Sequence, residues 1–153
     1  MNRTPTRADI VGSWKLLSAA QHFDDGSKVA EFGPSAHGLL TYTAEGTVSA
    51  VLGAADRRRI AAGDPQDATA DEYESSARRF VAYAGTYSLD EQTGHVVHTI
   101  ELSLYPNWQG DSQLRVLQLD GDTVTIVASP RTAADGRGFH SELRWRRLTT
   151  AGR

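Results

Sequence analysis

Apolar and polar residues alternate with a period of two along most of this chain, the pattern of strands that bury one face. From Ile10 to Phe23, Ile10, Trp14 and Leu16 fall on one side and Ser13 and Lys15 on the other. Asp24-Asp25-Gly26-Ser27 turns the chain, and Lys28 to Gly33 follows as a short piece ended by Gly33-Pro34. His37–Thr43 and Thr47–Gly53 then read as a hairpin around Ala44-Glu45-Gly46, with Leu40, Tyr42, Val48, Ala50 and Leu52 on a shared inner face.

The period changes once. After a polar loop over 54–68, Thr69-Ala70-Asp71-Glu72 has the form of a capping box, and Tyr73, Ala77, Phe80, Val81 and Ala84 make one helical stripe. This spacing predicts a helix of about 15 residues, ended by Gly85 in the left-handed conformation. Strands return at Thr86–Leu89, His95–Leu104, Ser112–Leu119, Thr123–Ser129 and Phe139–Leu148, joined by turns at Asp90–Gly94, Pro106–Gly110, Asp120-Gly121-Asp122 and residues 135–138.

About eight strands in a meander, with one helix between the third and fourth, point to an all-β fold: an eight-stranded antiparallel up-and-down barrel. Gly12-Ser13-Trp14 at the start and Arg144-Trp145-Arg146-Arg147 at the end suggest how it closes. A late arginine, Arg147 or Arg144 according to register, would lie on the Trp14 indole by cation–π stacking, beside a glycine that permits close approach. The expected organisation is an N-terminal tail over 1–9, one barrel domain over 10–148 and a C-terminal tail over 149–153.

Composition narrows the function. The 153 residues carry a formal net charge of −3 and a pI near 5.9, which speaks against a nucleic-acid partner, and Arg57-Arg58-Arg59 reads as a solvated loop. No apolar run has the length of a membrane helix and the first ten residues lack a signal-peptide core, so no membrane partner and a cytoplasmic location are expected. The absence of cysteine removes disulfides, thiol catalysis and thiolate metal sites. His95 and His98 would stand on opposite faces of a strand and no H-E-x-x-H occurs, so neither a metal nor another cofactor is expected. G-x-S-x-G and phosphate-loop motifs are also missing.

Gly12-Ser13-Trp14, Leu40-Thr41-Tyr42-Thr43, Gly85-Thr86-Tyr87 and Ser103-Leu104-Tyr105-Pro106-Asn107-Trp108 together resemble the bacterial and fungal family of lipocalin-like domain proteins, over about Ile10 to Leu148. The resemblance implies a calycin-type barrel with an interior cavity, often belonging to specialised metabolism. Some barrels of the wider group act as cyclases on polyketide-derived substrates. Unlike secreted lipocalins, this sequence shows neither disulfide cysteines nor a C-terminal helix.

Candidate chemistry follows from strand parity. His98 shares its face with Val96, Ile100, Leu102 and Leu104, so an imidazole should look into an apolar interior. There it would be a core histidine bonded to a hydroxyl, a ligand contact, or a proton relay. Glu101 falls on the outward parity with Thr99 and Ser103, unless a bulge brings it inside as a general base. Tyr42, Tyr83, Tyr87, Tyr105 and Trp108 are rings to line or rim a cavity, and Ala50, Ile100 and Leu102 would complete its wall. Arg115, on a face with Gln113 and Leu117, would form an outward ion pair or meet a ligand carboxylate or enolate.

Three functions fit. The first is binding of a small, largely apolar molecule, polyketide- or terpenoid-like. The second is an isomerase or cyclase working in the same cavity, with His98 and Glu101 as catalytic candidates, and the third is an interaction module with a filled barrel.

Overall fold

The computed structural model describes residues 1–149. A short helix α1 (Arg7–Ile10) leads into β1 (Gly12–Phe23), β2 (Lys28–Ala30), β3 (Ala36–Tyr42) and β4 (Thr47–Ala54). Helix α2 (Ala70–Ala77) follows, then β5 (Phe80–Leu89), β6 (His95–Ser103), β7 (Ser112–Asp120), β8 (Thr123–Ala128), β9 (Arg131–Thr132) and β10 (Gly138–Arg147). Strands β1, β3, β4, β5, β6, β7, β8 and β10 pair antiparallel in that order. The β1–β10 pairing closes them into an eight-stranded barrel, while β2 and β9 are short additions beside β1 and β10.

Closure is fixed at one end by Trp14, which lies opposite Arg147 in the β1–β10 register. The Arg147 guanidinium sits 4.3 Å from the centre of the fully buried indole and donates to the carbonyls of Val11 (2.9 Å) and Asp9. The indole N–H donates to the Ile10 carbonyl at 2.9 Å. Gly12 has φ 133°, and a Cβ there would come within 2.8 Å of Arg147 Nη1. The glycine therefore makes room for the guanidinium, where the sequence reading had it clear space for the indole.

The first nine residues are more than a tail. Arg3 pairs through its backbone with Leu119, and Thr6 and Asp9 cap α1 reciprocally. Helix α1 thereby delivers Ile10, fully buried, into the closed end beside Trp14, Val48, Val96, Leu119 and Val124. The expected C-terminal tail lies, except for residue 149, outside the described residues.

Helix α2 begins at the expected capping box, Thr69 with Glu72, but ends after eight residues. None of them is buried, so the helix does not plug the barrel. Phe80, Val81 and Ala84, read as helical, belong to β5, which starts six residues earlier than the alternation suggested. An isolated stretch rich in alanine suits a helix, but a barrel needs a strand between β4 and β6 to satisfy their facing amides and carbonyls.

Gly85 is likewise no helix cap. It stands opposite Ile100 at a bulge where Ala84 pairs with Leu102, leaving Glu101 as the extra residue. A Cβ on Gly85 would lie 1.9 Å from the Thr99 carbonyl oxygen. Only glycine lets β5 and the bulged β6 approach this closely.

Two substitutions test this account by denaturant unfolding. Gly85→Ala should lower stability by about 3 kcal/mol, since the obstacle is backbone and cannot move aside cheaply. Arg147→Met should cost about 2–3 kcal/mol, through loss of the cation–π contact and of partners for two carbonyls. A loss under about 0.5 kcal/mol in either variant would contradict the role given to that residue.

Candidate functional site

Each barrel strand sends alternate side chains inward, and the closed end is packed solid by the large ones. Toward the opposite end polar residues such as Gln21, Gln113, Arg115 and Ser141 join apolar ones, and a cavity of about 710 Å³ remains. This is a volume suited to a drug-sized ligand. Phe32, Leu40, Ala50, Leu52, Val81 and Ile126 supply much of its apolar wall. Exposed lining residues, Arg78, Ser112, Ser129 and Arg131, mark the mouth.

His98 stands at the boundary between packed core and cavity, only 1% exposed. Its Nε2 is 2.8 Å from the Tyr42 hydroxyl and its Nδ1 is 2.8 Å from that of Tyr83. The three residues come from β3, β5 and β6, so only the closed barrel brings them together. Burial, with the nearby Arg115 charge adding to it, holds the imidazole pKa down from 6.5 to about 3. Burial likewise raises both phenols above their usual range. At neutral pH the cluster is therefore an uncharged imidazole between two uncharged phenols.

Trp108, from the Pro106–Trp108 helical turn after β6, lies edge-on to Tyr83 with ring centres 6.2 Å apart. Arg115 faces inward from β7 and lines the cavity, so it does not form the outward ion pair considered for it. Its guanidinium donates to the Leu114 carbonyl and the Gln113 side-chain oxygen, and no carboxylate lies within 4 Å of it among the described residues.

Ala50, Tyr83, His98, Trp108 and Arg115 thus all line the cavity. Tyr42 stands behind His98, outside the lining. Tyr87 and Ile100 are buried but do not reach the cavity, and the Tyr87 hydroxyl donates to the Thr43 carbonyl at 2.8 Å. Glu101 and Leu102 are corrections. The bulge in β6 puts both outside, Leu102 being 68% exposed, and transfers the inward parity from even to odd numbers, so that half-buried Ser103 stands opposite Tyr83. A bulge had been considered as a way to bring Glu101 in; it adds Glu101 on the outer side instead.

Sequence reasoning missed a second polar group in the lining. Ser141 Oγ donates to Glu31 Oε1 at 3.2 Å and accepts from Arg131 at 3.0 Å, while burial pushes the Glu31 carboxyl up. The β1–β10 register places Gln21 opposite Ser141 within the same lining. The inward parity of Gln21 was hidden by a register shift between Leu16 and Ser18. On the outer wall, His22, His140 and Glu142 bring ligand-type atoms within 4.8 Å of one another, another product of that register. His95 is exposed and turned away from His98, as its parity required.

Trp145 is 2% exposed, and its indole N–H has no partner among the described residues. No helix among the described residues is long and apolar enough to cross a membrane.

The pKa of His98 sets a pH dependence. Because the folded pKa is below that of the unfolded chain, the unfolded chain binds the extra proton in between, and stability falls as pH drops from about 6.5 toward 3. Glu31, raised by burial, works in the opposite direction over its own titration. Between pH 6.5 and 4.5 the wild type should lose about 2 kcal/mol more than His98→Gln, measured by urea unfolding. Equal slopes would mean that the imidazole titrates normally in the folded protein.

Comparison with known proteins agrees with this architecture. The lipocalin-like domain family matches residues 11–148. A curated relative is 33% identical over 86 residues, which is 52% of this chain and 78% of the relative: the 4'-hydroxy-3'-methoxypropiophenone carrier protein ppsC of Aspergillus oryzae (strain ATCC 42149 / RIB 40). No solved structure matches. With a closed eight-stranded barrel and a family match spanning nearly its whole length, this chain belongs to the lipocalin-like domain family.

Proposed function

We propose that the protein is a carrier that holds one small, largely apolar molecule reversibly in its barrel, with an aryl ketone as the favoured ligand. The observation that carries this reading is the cavity of about 710 Å³, in which an apolar wall of Phe32, Leu40, Ala50, Leu52, Val81 and Ile126 faces polar groups that include Tyr83, His98 and Arg115. Such a lining gains affinity from burial of the ligand's apolar surface and orientation from its hydrogen-bonding groups. Similarity to a protein named as the carrier of a hydroxylated, methoxylated propiophenone supports the ligand class.

The same geometry favours binding over a cyclase or isomerase. A general base needs a free lone pair near the reacting carbon and a pKa near the working pH. His98 has both nitrogens in hydrogen bonds and a pKa far below neutrality, and Glu101 is outside. The cavity also argues against an interaction module with a filled interior.

Trp108 and Trp145 line the cavity, so ligand entry should be visible in intrinsic fluorescence. Titration with 4'-hydroxy-3'-methoxypropiophenone, a terpenoid alcohol and a linear polyketide mimic should give saturable quenching, strongest for the ketone. The ketone should be recovered unchanged. Ala50→Phe, which fills the wall with a ring, should weaken binding at least tenfold. Absence of saturable binding for all three compounds would overturn the proposal, and conversion of the polyketide mimic that is lost in His98→Gln would favour the cyclase.

A further inference from the structure

We infer that the hydrogen-bond chain Tyr42–His98–Tyr83 runs in one direction, toward the cavity, so that the Tyr83 hydroxyl keeps its proton for a bound molecule and the site selects ligands carrying a carbonyl-type acceptor oxygen. Tyr42 donates to Nε2, Nδ1–H donates to the Tyr83 oxygen, and the Tyr83 O–H is left to donate. The ligand half of this inference rests on the carrier reading; the direction of the chain does not.

A neutral imidazole has one N–H and one lone pair, so the tyrosines on its two nitrogens must play opposite parts. What decides between them is where each phenol sits. Tyr42 is 1% exposed, stands outside the cavity lining with the Tyr87 ring 4.8 Å away, and its hydroxyl has no partner but Nε2 among the described residues. If Nε2 carried the proton, Tyr42 would accept it and its own O–H would be buried without an acceptor. That arrangement is avoided in folded interiors. Tyr83 lines the cavity, where a ligand can take its proton.

The surrounding lining points to the same ligand chemistry. Arg115 is a pure donor, with no carboxylate within 4 Å among the described residues. Of the acceptors in the lining, the Gln113 oxygen takes Arg115 and one Glu31 oxygen takes Ser141. A hydrocarbon would leave the Tyr83 O–H unmatched. A ketone or its enolate satisfies the Tyr83 O–H and brings no donor of its own.

The test has two arms on the full chain. Long-range 1H–15N correlation of the ligand-free protein at pH 7 should show His98 with a protonated, pyrrole-like Nδ1 and an unprotonated, pyridine-like Nε2. A proton on Nε2 would overturn the inference. In the second arm, 1-phenylpropan-1-one should bind about tenfold more tightly than propylbenzene, and this preference should shrink to within about twofold in Tyr83→Phe. A preference that survives in Tyr83→Phe would also overturn it. If neither compound binds the wild type, the carrier reading fails, and the nitrogen spectrum alone decides the direction of the chain.

Discussion

The pairing of β1 with β10 is the constraint on which the remainder depends. Without it the eight strands form an open sheet with two unsatisfied edges and no interior. The Trp14 indole, the Arg147 guanidinium above it and the carbonyls of Asp9, Ile10 and Val11 tie the first strand, the last strand and helix α1 into a single plug. Large side chains then fill this end of the barrel. The opposite end, lined by a mixture of apolar and polar residues, stays hollow.

The position of His98 follows from that division. It lies where the packing stops, close enough to the core to be stripped of water and close enough to the cavity to matter to a ligand. Desolvation alone would make a polar ring there costly, but two phenols from other strands occupy both of its nitrogens. The cluster is a neutral hydrogen-bonding wall in a pocket of mixed polarity. Its chemistry suits recognition better than proton abstraction.

Much of this fold was legible in the residues. Strict alternation in Thr123-Val124-Thr125-Ile126-Val127 located β8, and the same rule sent Val96, His98 and Ile100 inward. The Thr69–Glu72 capping box located the start of α2. Alternation failed at the bulges, because one extra residue reverses the parity of all that follow. Leu102 was thus assigned to the cavity when it lies outside, and Gln21 was not recognised as part of the wall. The helix was drawn too long for a different reason: local preference in Phe80–Ala84 yielded to the hydrogen-bonding demand of β4 and β6.

By itself the sequence determined the barrel class, the inward histidine and the aromatic–guanidinium closure, since each depends on period or on side-chain chemistry that reads locally. Tertiary structure alone decided that Tyr42 and Tyr83 take opposite nitrogens of one imidazole, that Arg115 faces the cavity, and that Glu31, Ser141 and Arg131 form a second polar group in its lining. These contacts join residues from different strands, and the register between strands is set by closure and bulges that no local pattern encodes.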